Sequence, residues 1–197
     1  MVKKIYQTVY FENPGPENTD TTLELAFKRA KETEIKDVVV ASTKGETGIK
    51  AAKIFKGFNL IVVSHSTGFR EPNTQEMNLD KRKEIQREGG KVLTCQHALG
   101  GVGRAIRKKL GTYQVDEIIA YTLRILGEGT KVAVEIAMMA ADSGLIPTLG
   151  EIVAIGGTNS GADTALVLKP ANSQSFFDME IKEIICKPRN LEQHLKN

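Results

Sequence analysis

The residue types best suited to hold a ligand cluster in Ser42-Thr43-Lys44-Gly45-Glu46-Thr47-Gly48. This run follows the β-branched Val38-Val39-Val40, and Ile49, Ala52 and Phe55 recur after it at helical spacing. The pattern predicts a strand, a tight loop and a helix. A helix start leaves its first backbone N–H groups without partners and carries partial positive charge. Glycine allows close approach to that backbone, and Ser or Thr hydroxyls add donors, so the chemistry expected is phosphate binding. The plainer alternative is an ordinary βα loop with Thr47 as N-cap. It is not a P-loop, because G-x-x-x-x-G-K-[ST] is absent.

Other groups are weaker. His65, in His65-Ser66-Thr67-Gly68, follows an apolar run and is a candidate proton donor or ligand hydrogen-bonder, against a structural role. Cys95-Gln96-His97 juxtaposes a thiol and an imidazole, but no third orienting residue accompanies them, so nucleophilic catalysis is not expected. Three histidines and two dispersed cysteines do not form a zinc pattern. Gly101-Val102-Gly103 begins like a dinucleotide fingerprint, yet Ile106 stands where the third glycine belongs. Lys50, Lys53 and Lys56 read as a solvated helix face. No catalytic residue is assigned and no metal is expected.

Composition narrows the class. The 197 residues carry 41% hydrophobic and 26% charged side chains, ordinary for a globular protein read as one domain over 1–197. The net charge of +3 is mild, and basic residues alternate with acidic ones, as in KRKEIQRE at 81–88. No nucleic-acid partner is therefore expected. Cys95 and Cys186 sit in apolar runs and read as reduced, buried thiols. No apolar run reaches the roughly 18 residues of a membrane span, and none of signal type opens the chain. The expectation is a cytoplasmic protein with no membrane partner.

The elements that position these residues follow from periodicity. Strands are predicted at 5–11, at Val38–Val40, at Asn59–Ser64, at Lys91–Cys95, at Glu151–Ile155, at Thr164–Leu168 and around Met179–Cys186, the last with a phase slip near Glu183. Leu23, Ala26, Phe27 and Ala30 mark a first helix behind the Asn18-Thr19-Asp20 caps. A charged helix is expected over 75–88, a short basic one after Leu99–Arg104, and another through Val115, Ile118, Ile119, Thr122 and Leu126. One more, 130–144, is apolar nearly all round across Val132–Ala141 and so deeply buried, with Gly144 at its end. Alternating strands and helices imply a three-layer α/β/α fold with a mostly parallel sheet. The short 156–163 connection makes the C-terminal strands antiparallel. Five polar loops, 12–15, 42–48, 65–68, 96–103 and 156–163, would then meet at the edge where such sheets bind ligands.

The stretches VVVASTKGETGIKAAKIFKGFNLIVVSHS and GTKVAVEIAMMAADSGLIPTLGEIVAIGGTNSGADTALVL resemble the C-terminal, allosteric α/β domain of pyruvate kinase. The resemblance spans roughly residues 10 to 168, most of the chain. The whole chain is also similar to stand-alone, archaeal-type proteins of this fold, some of them reported with FMN. In pyruvate kinase the two corresponding loops hold an allosteric sugar phosphate. The resemblance thus implies roles for Thr43, Lys44, Thr47 and Gly48, and for Gly157, Thr158 and Gly161. With the loop residues around them, the candidate set is Ser42, Thr43, Lys44, Gly45, Thr47, Gly48, His65, Ser66, Thr67, Gly156, Gly157, Thr158, Gly161 and Asp163. No pyruvate kinase activity is expected, because the catalytic barrel is absent. The expectation is a binder of a phosphorylated small molecule, with FMN the leading ligand. Two roles remain open: a flavin-dependent oxidoreductase, or a regulatory module reporting a sugar phosphate or nucleotide to a partner or within a homo-oligomer.

Overall fold

A computed structural model describes residues 3–191. Among these, seven strands form one sheet: β1 (Val9–Phe11), β2 (Asp37–Ala41), β3 (Asn59–Ser64), β4 (Lys91–Thr94), β5 (Ile152–Gly156), β6 (Thr164–Lys169) and β7 (Glu180–Pro188). Six α-helices accompany them: α1 (Thr19–Glu32), α2 (Glu46–Ile54), α3 (Leu79–Arg87), α4 (Val102–Leu110), α5 (Val115–Arg124) and α6 (Glu128–Asp142).

The strand order is β1-β7-β6-β5-β2-β3-β4. β2 pairs in parallel with β3 and β5, β3 with β4, and β1 with β7. β6 alone runs antiparallel to both neighbours. The mostly parallel sheet with an antiparallel C-terminal pairing is as expected, and the slip near Glu183 is real: the β6–β7 register shifts twice, once on either side of the Leu166–Val167 pair. The first strand is shorter than the 5–11 of the sequence reading. Before Val9 the chain has left the sheet; there Tyr6 lies under the Arg29 guanidinium at 4.3 Å.

The sheet separates two apolar cores. On one face α1, α2 and α3 bring Leu23, Ala26, Ala52, Phe55 and Ile85 against Val38, Val40, Leu60 and Val62. On the other, α6 packs Ala133, Ile136, Ala137 and Ala140 against Val39, Ile61, Ile152 and Ala154. Alternation along β2 sends Val39 to one core and Val38 and Val40 to the other, the period-2 consequence of a strand covered on both sides. α6 is buried over most of its length, as its apolar run requires.

The lysine row at 50, 53 and 56 is exposed, as expected, and carries surface ion pairs. Lys50 pairs with Asp20 of α1 at 2.7 Å, while Lys53 and Lys56 meet Glu84 and Glu88 of the α3 segment at 3.3 and 3.1 Å. Lys91 on the β4 edge donates to Asn59 at 2.8 Å.

β2 and β5 lie side by side, yet the chain leaves them in opposite directions, β2 toward β3 and β5 toward β6. Their carboxyl ends therefore flank a crevice, the place where open α/β sheets accept ligands.

Candidate functional site

That crevice opens into a cleft of about 1500 Å³. All five expected loops contribute to it, through Pro14, the 42–47 segment, His65, His97 and the 157–161 segment. The start of α6 and the chain after β7 supply further walls. Seven cationic side chains line the cleft against four carboxylates, which favours an anion.

At the start of α2 the N-cap position is Gly45, in the left-handed region at φ 102°, with Glu46 opening the helix. Thr47 is therefore inside the first turn and not the cap. The side-chain cap is instead Ser42, whose Oγ accepts the Gly48 N–H at 3.0 Å. The first intrahelical bond runs from Ile49 N–H to Gly45 O, so the N–H groups of Glu46 and Thr47 precede it.

Eight candidate residues line the cleft: Ser42, Thr43, Lys44, Thr47, His65, Gly157, Thr158 and Gly161. The other six do not. Gly48 faces the core, where an added Cβ would stand 2.7 Å from Val62 Cγ1. Gly45 lies against Lys81, and Gly156 against the α6 backbone. Asp163, fully buried, organises the loop by accepting from Thr158 N–H at 3.0 Å and Thr164 Oγ1 at 2.8 Å. Ser66 and Thr67 lie outside the lining.

Two histidine–glutamate pairs stand over the cleft. His65 Nδ1 lies 2.6 Å from Glu76 Oε2, and its Nε2 lies 3.2 Å from Thr43 Oγ1. Burial lowers the His65 pKa, and nearby His97 and Arg70 add to this, outweighing the opposing pull of Glu76. The ring is thus neutral at pH 7. A carboxylate only accepts, so Nδ1 holds the proton and the Nε2 lone pair faces Thr43, whose hydroxyl donates to it. This is the geometry of a general base with a hydroxyl in reach.

The second pair is deeper. Glu135 Oε2 meets Lys131 Nζ at 2.6 Å, and Oε1 accepts Leu99 N–H at 2.9 Å and approaches His97 Nδ1 at 3.5 Å. Burial alone would raise the Glu135 pKa, but the His97 ring and the Lys131 ammonium prevail and hold it at about 2. The His97 Nε2 is buried without a protein partner. Phe69 packs against both imidazoles, with ring centroids 4.1 Å from His65 and 4.9 Å from His97, and the two imidazole centroids lie 5.3 Å apart. The Arg104 guanidinium lies 5.0 Å from the Phe69 ring.

Glu76, Phe69, Lys131 and Glu135 escaped the sequence reading. The charged helix expected over 75–88 would include Glu76, whereas α3 begins only at Leu79 and the preceding loop folds back on His65. Thr94, Ser64 and Arg82 form a separate hydrogen-bonded set beneath β4. No group of three or more His, Cys, Asp or Glu with metal-holding geometry occurs among the described residues. Nor does any described helix have the length and apolarity to cross a membrane.

Fold and cleft together define an α/β domain with a cleft at the carboxyl edge of a mixed sheet. Residues 20–168 match the family described as pyruvate kinase, alpha/beta domain, and the chain belongs to that family. Among solved structures, pyruvate kinase from Cryptosporidium parvum, in complex with ADP, shares 14% identity over 84% of this chain and 23% of its own, with a TM-score of 0.38. The O-ureido-L-serine synthase structure shares 22% over 50% of this chain and 32% of its own, at a TM-score of 0.30. The NH3-dependent NAD synthetase from Campylobacter jejuni subsp. jejuni NCTC 11168, in complex with the nitrate ion, shares 15% over 73% and 56%, at 0.32. The chain thus spans little over half, or less, of each of these structures, and at such scores none bears on its function.

Proposed function

We propose that the cleft binds a phosphorylated small molecule, FMN being the ligand best suited to it, with the phosphate on the start of α2. The observation that carries this reading is the meeting, in one cleft, of the first turn of α2, the Thr43 and Thr47 residues and an excess of cationic groups. The residues fit a flavin in a second respect: the rings of His65, Phe69 and His97 form a compact cluster in the cleft wall, with the two imidazole centroids 5.3 Å apart. Such a cluster offers ring faces and edges to a planar heterocycle, since offset and edge-to-face aromatic contacts are favourable. The volume of about 1500 Å³ exceeds the roughly 300–1,000 Å³ of ordinary small-molecule sites, leaving space for a second reactant.

In this assignment Thr43, Lys44 and Thr47 hold the phosphate, and the Gly157–Gly161 loop covers the remainder. A bound flavin would supply electron transfer, and His65 would hold or accept a proton at Nε2 beside it. A regulatory role is favoured by a different observation. α5 reaches the cleft through Tyr121 and Arg124 while exposing Val115 and Ile118, an apolar surface suited to a partner.

The deciding experiment is equilibrium binding of FMN and riboflavin, followed by quenching of flavin fluorescence, with wild type and Thr47→Ala. Loss of one hydrogen bond to a charged group should weaken FMN by about 1.5–3 kcal/mol and leave riboflavin, which lacks the phosphate, unaffected. Equal weakening of both, or of neither, would place the phosphate elsewhere. Anaerobic NADH or NADPH that bleaches the bound flavin on a catalytic timescale would favour the oxidoreductase role; flavin binding without reduction by either would favour the regulatory one.

A further inference from the structure

Beside the cleft, between α4 and α5, lies a smaller basin of about 420 Å³. Its apolar floor is Leu99 and Ala120, both buried. Five cationic side chains line it against a single carboxylate, Glu117. That excess of four is larger than the net charge of +3 of the whole chain, so the basin concentrates positive charge that the rest of the surface balances.

The single carboxylate is unusual. Glu117 is 6% exposed, and its Oε1 accepts from Arg107 Nε at 2.8 Å. Its Oε2 is buried with no protein partner. A charged oxygen in that state retains a desolvation penalty that a donor would relieve. Among the cations, Arg107 is held by Glu117, and Arg124 is held by Glu128. Arg104 stacks on Phe69, and neither Arg104 nor Lys108 has a carboxylate partner among the described residues. Fixed guanidinium forks beside unneutralised charges are the arrangement that recognises carboxylate or phosphate oxygens.

We propose that this basin is a second ligand site, which takes a compact, multiply charged anion bearing a hydroxyl or amino donor. The anionic oxygens lie on Arg104, Lys108 and Arg107, and the donor satisfies Glu117 Oε2. Small size and scant apolar lining exclude a bulky or greasy ligand. The site does not depend on a phosphate at the start of α2.

Citrate and tricarballylate are the test pair, because they share three carboxylates and differ by one hydroxyl. Isothermal calorimetry at low ionic strength on the full chain should detect citrate, with tricarballylate about tenfold weaker for want of one hydrogen bond to a charged group. The double variant Arg104→Met, Lys108→Met should weaken citrate by about tenfold or more, since it removes two charge-assisted contacts but keeps the side-chain stems. Both replaced side chains are at least partly exposed, and circular dichroism checks that the variant is folded. Thr47→Ala should leave citrate binding unchanged. No citrate binding by the wild type, or equal binding by the double variant, would overturn the site. Loss of citrate in Thr47→Ala with retention in the double variant would also overturn it, by moving the anion to the cleft. Equal affinities for citrate and tricarballylate would remove Glu117 from recognition and overturn the ligand class. Failure of FMN to bind would leave all four outcomes readable.

Discussion

His65 and Glu76 are joined at 2.6 Å across the cleft rim, with the imidazole donating from Nδ1. The pair fixes one tautomer and turns the other nitrogen toward Thr43. Burial makes the ring reluctant to take a second proton, while Glu76 acts the other way. Glu76→Gln should therefore lower the His65 pKa further, and nitrogen-detected NMR should find Nδ1 protonated in the wild type. A rise in the pKa on removing Glu76 would contradict the arrangement. The sign for stability follows from the depressed pKa. The folded state resists a proton that the unfolded chain accepts near pH 6.5, so the His65 contribution is full above that pH and declines as pH falls toward the folded value.

Gly48 tests packing, not ligand approach. A Cβ there would stand 2.7 Å from Val62 Cγ1 and 2.9 Å from Ile85 Cδ1. Gly48→Ala should destabilise by about 1–3 kcal/mol through overpacking, less up to about 1 kcal/mol regained from helix propensity. Urea denaturation should show a lower midpoint with an unchanged slope. An unchanged or higher midpoint would mean that α2 lifts easily from β3.

The Lys131–Glu135 pair is buried on both sides. Lys131→Met should destabilise by about 3–5 kcal/mol, because it strands a carboxylate away from water. The double variant Lys131→Met, Glu135→Met should lose far less than the sum of the single losses. Additive losses in a double-mutant cycle would show that the two groups do not act together.

Acid should act on the same carboxyl. Glu135 is held at about 2 in the folded protein against an ordinary 4.5, so its contribution is complete above the unfolded value and is lost as pH falls from there to about 2. In Glu135→Gln that part of the acid dependence should be absent. An identical acid profile for variant and wild type would overturn the assignment.

A coupled assay with phosphoenolpyruvate and ADP should show no turnover, since the match over residues 20–168 is to the alpha/beta domain of pyruvate kinase and the described strands form one mixed sheet, not the catalytic barrel. Turnover at about 1 s⁻¹ or faster, within the usual kinase range, would overturn this.

Local pattern made the fold legible where one element decides the signal. The valines of β2, the helical spacing after Gly45, the burial of α6 and the tight β5–β6 connection all report short-range periodicity. Loop convergence was legible too, because parallel topology sends every strand end to the same edge. Contacts made by tertiary folding were not. Ser42 displaced Thr47 as the cap because its hydroxyl reaches back to Gly48, a choice that the shared preference of Ser and Thr for caps leaves open. Glu76 reaches His65 from 11 residues away, through a loop whose path no period encodes. Lys131 and Glu135 sat inside an apolar helix, and only burial makes their pairing visible. β7 between β1 and β6 is likewise a long-range choice.

At Gly156 a side chain would meet the Gly129 carbonyl at 2.3 Å, and at Gly129 one would meet Thr164 Oγ1 at 2.1 Å. The first turn of α6 is therefore clamped between the ends of β5 and β6, with no slack for sliding. Mechanically, this joint is the stiff corner of the domain. A molecule arriving in the cleft meets this tight joint on α6 and, across the positive-φ Gly127, the more exposed α5. The exposed side of α5 would then move like the far end of a lever pivoted on α6, and amide exchange should be slow at the pivot and quick at the tip.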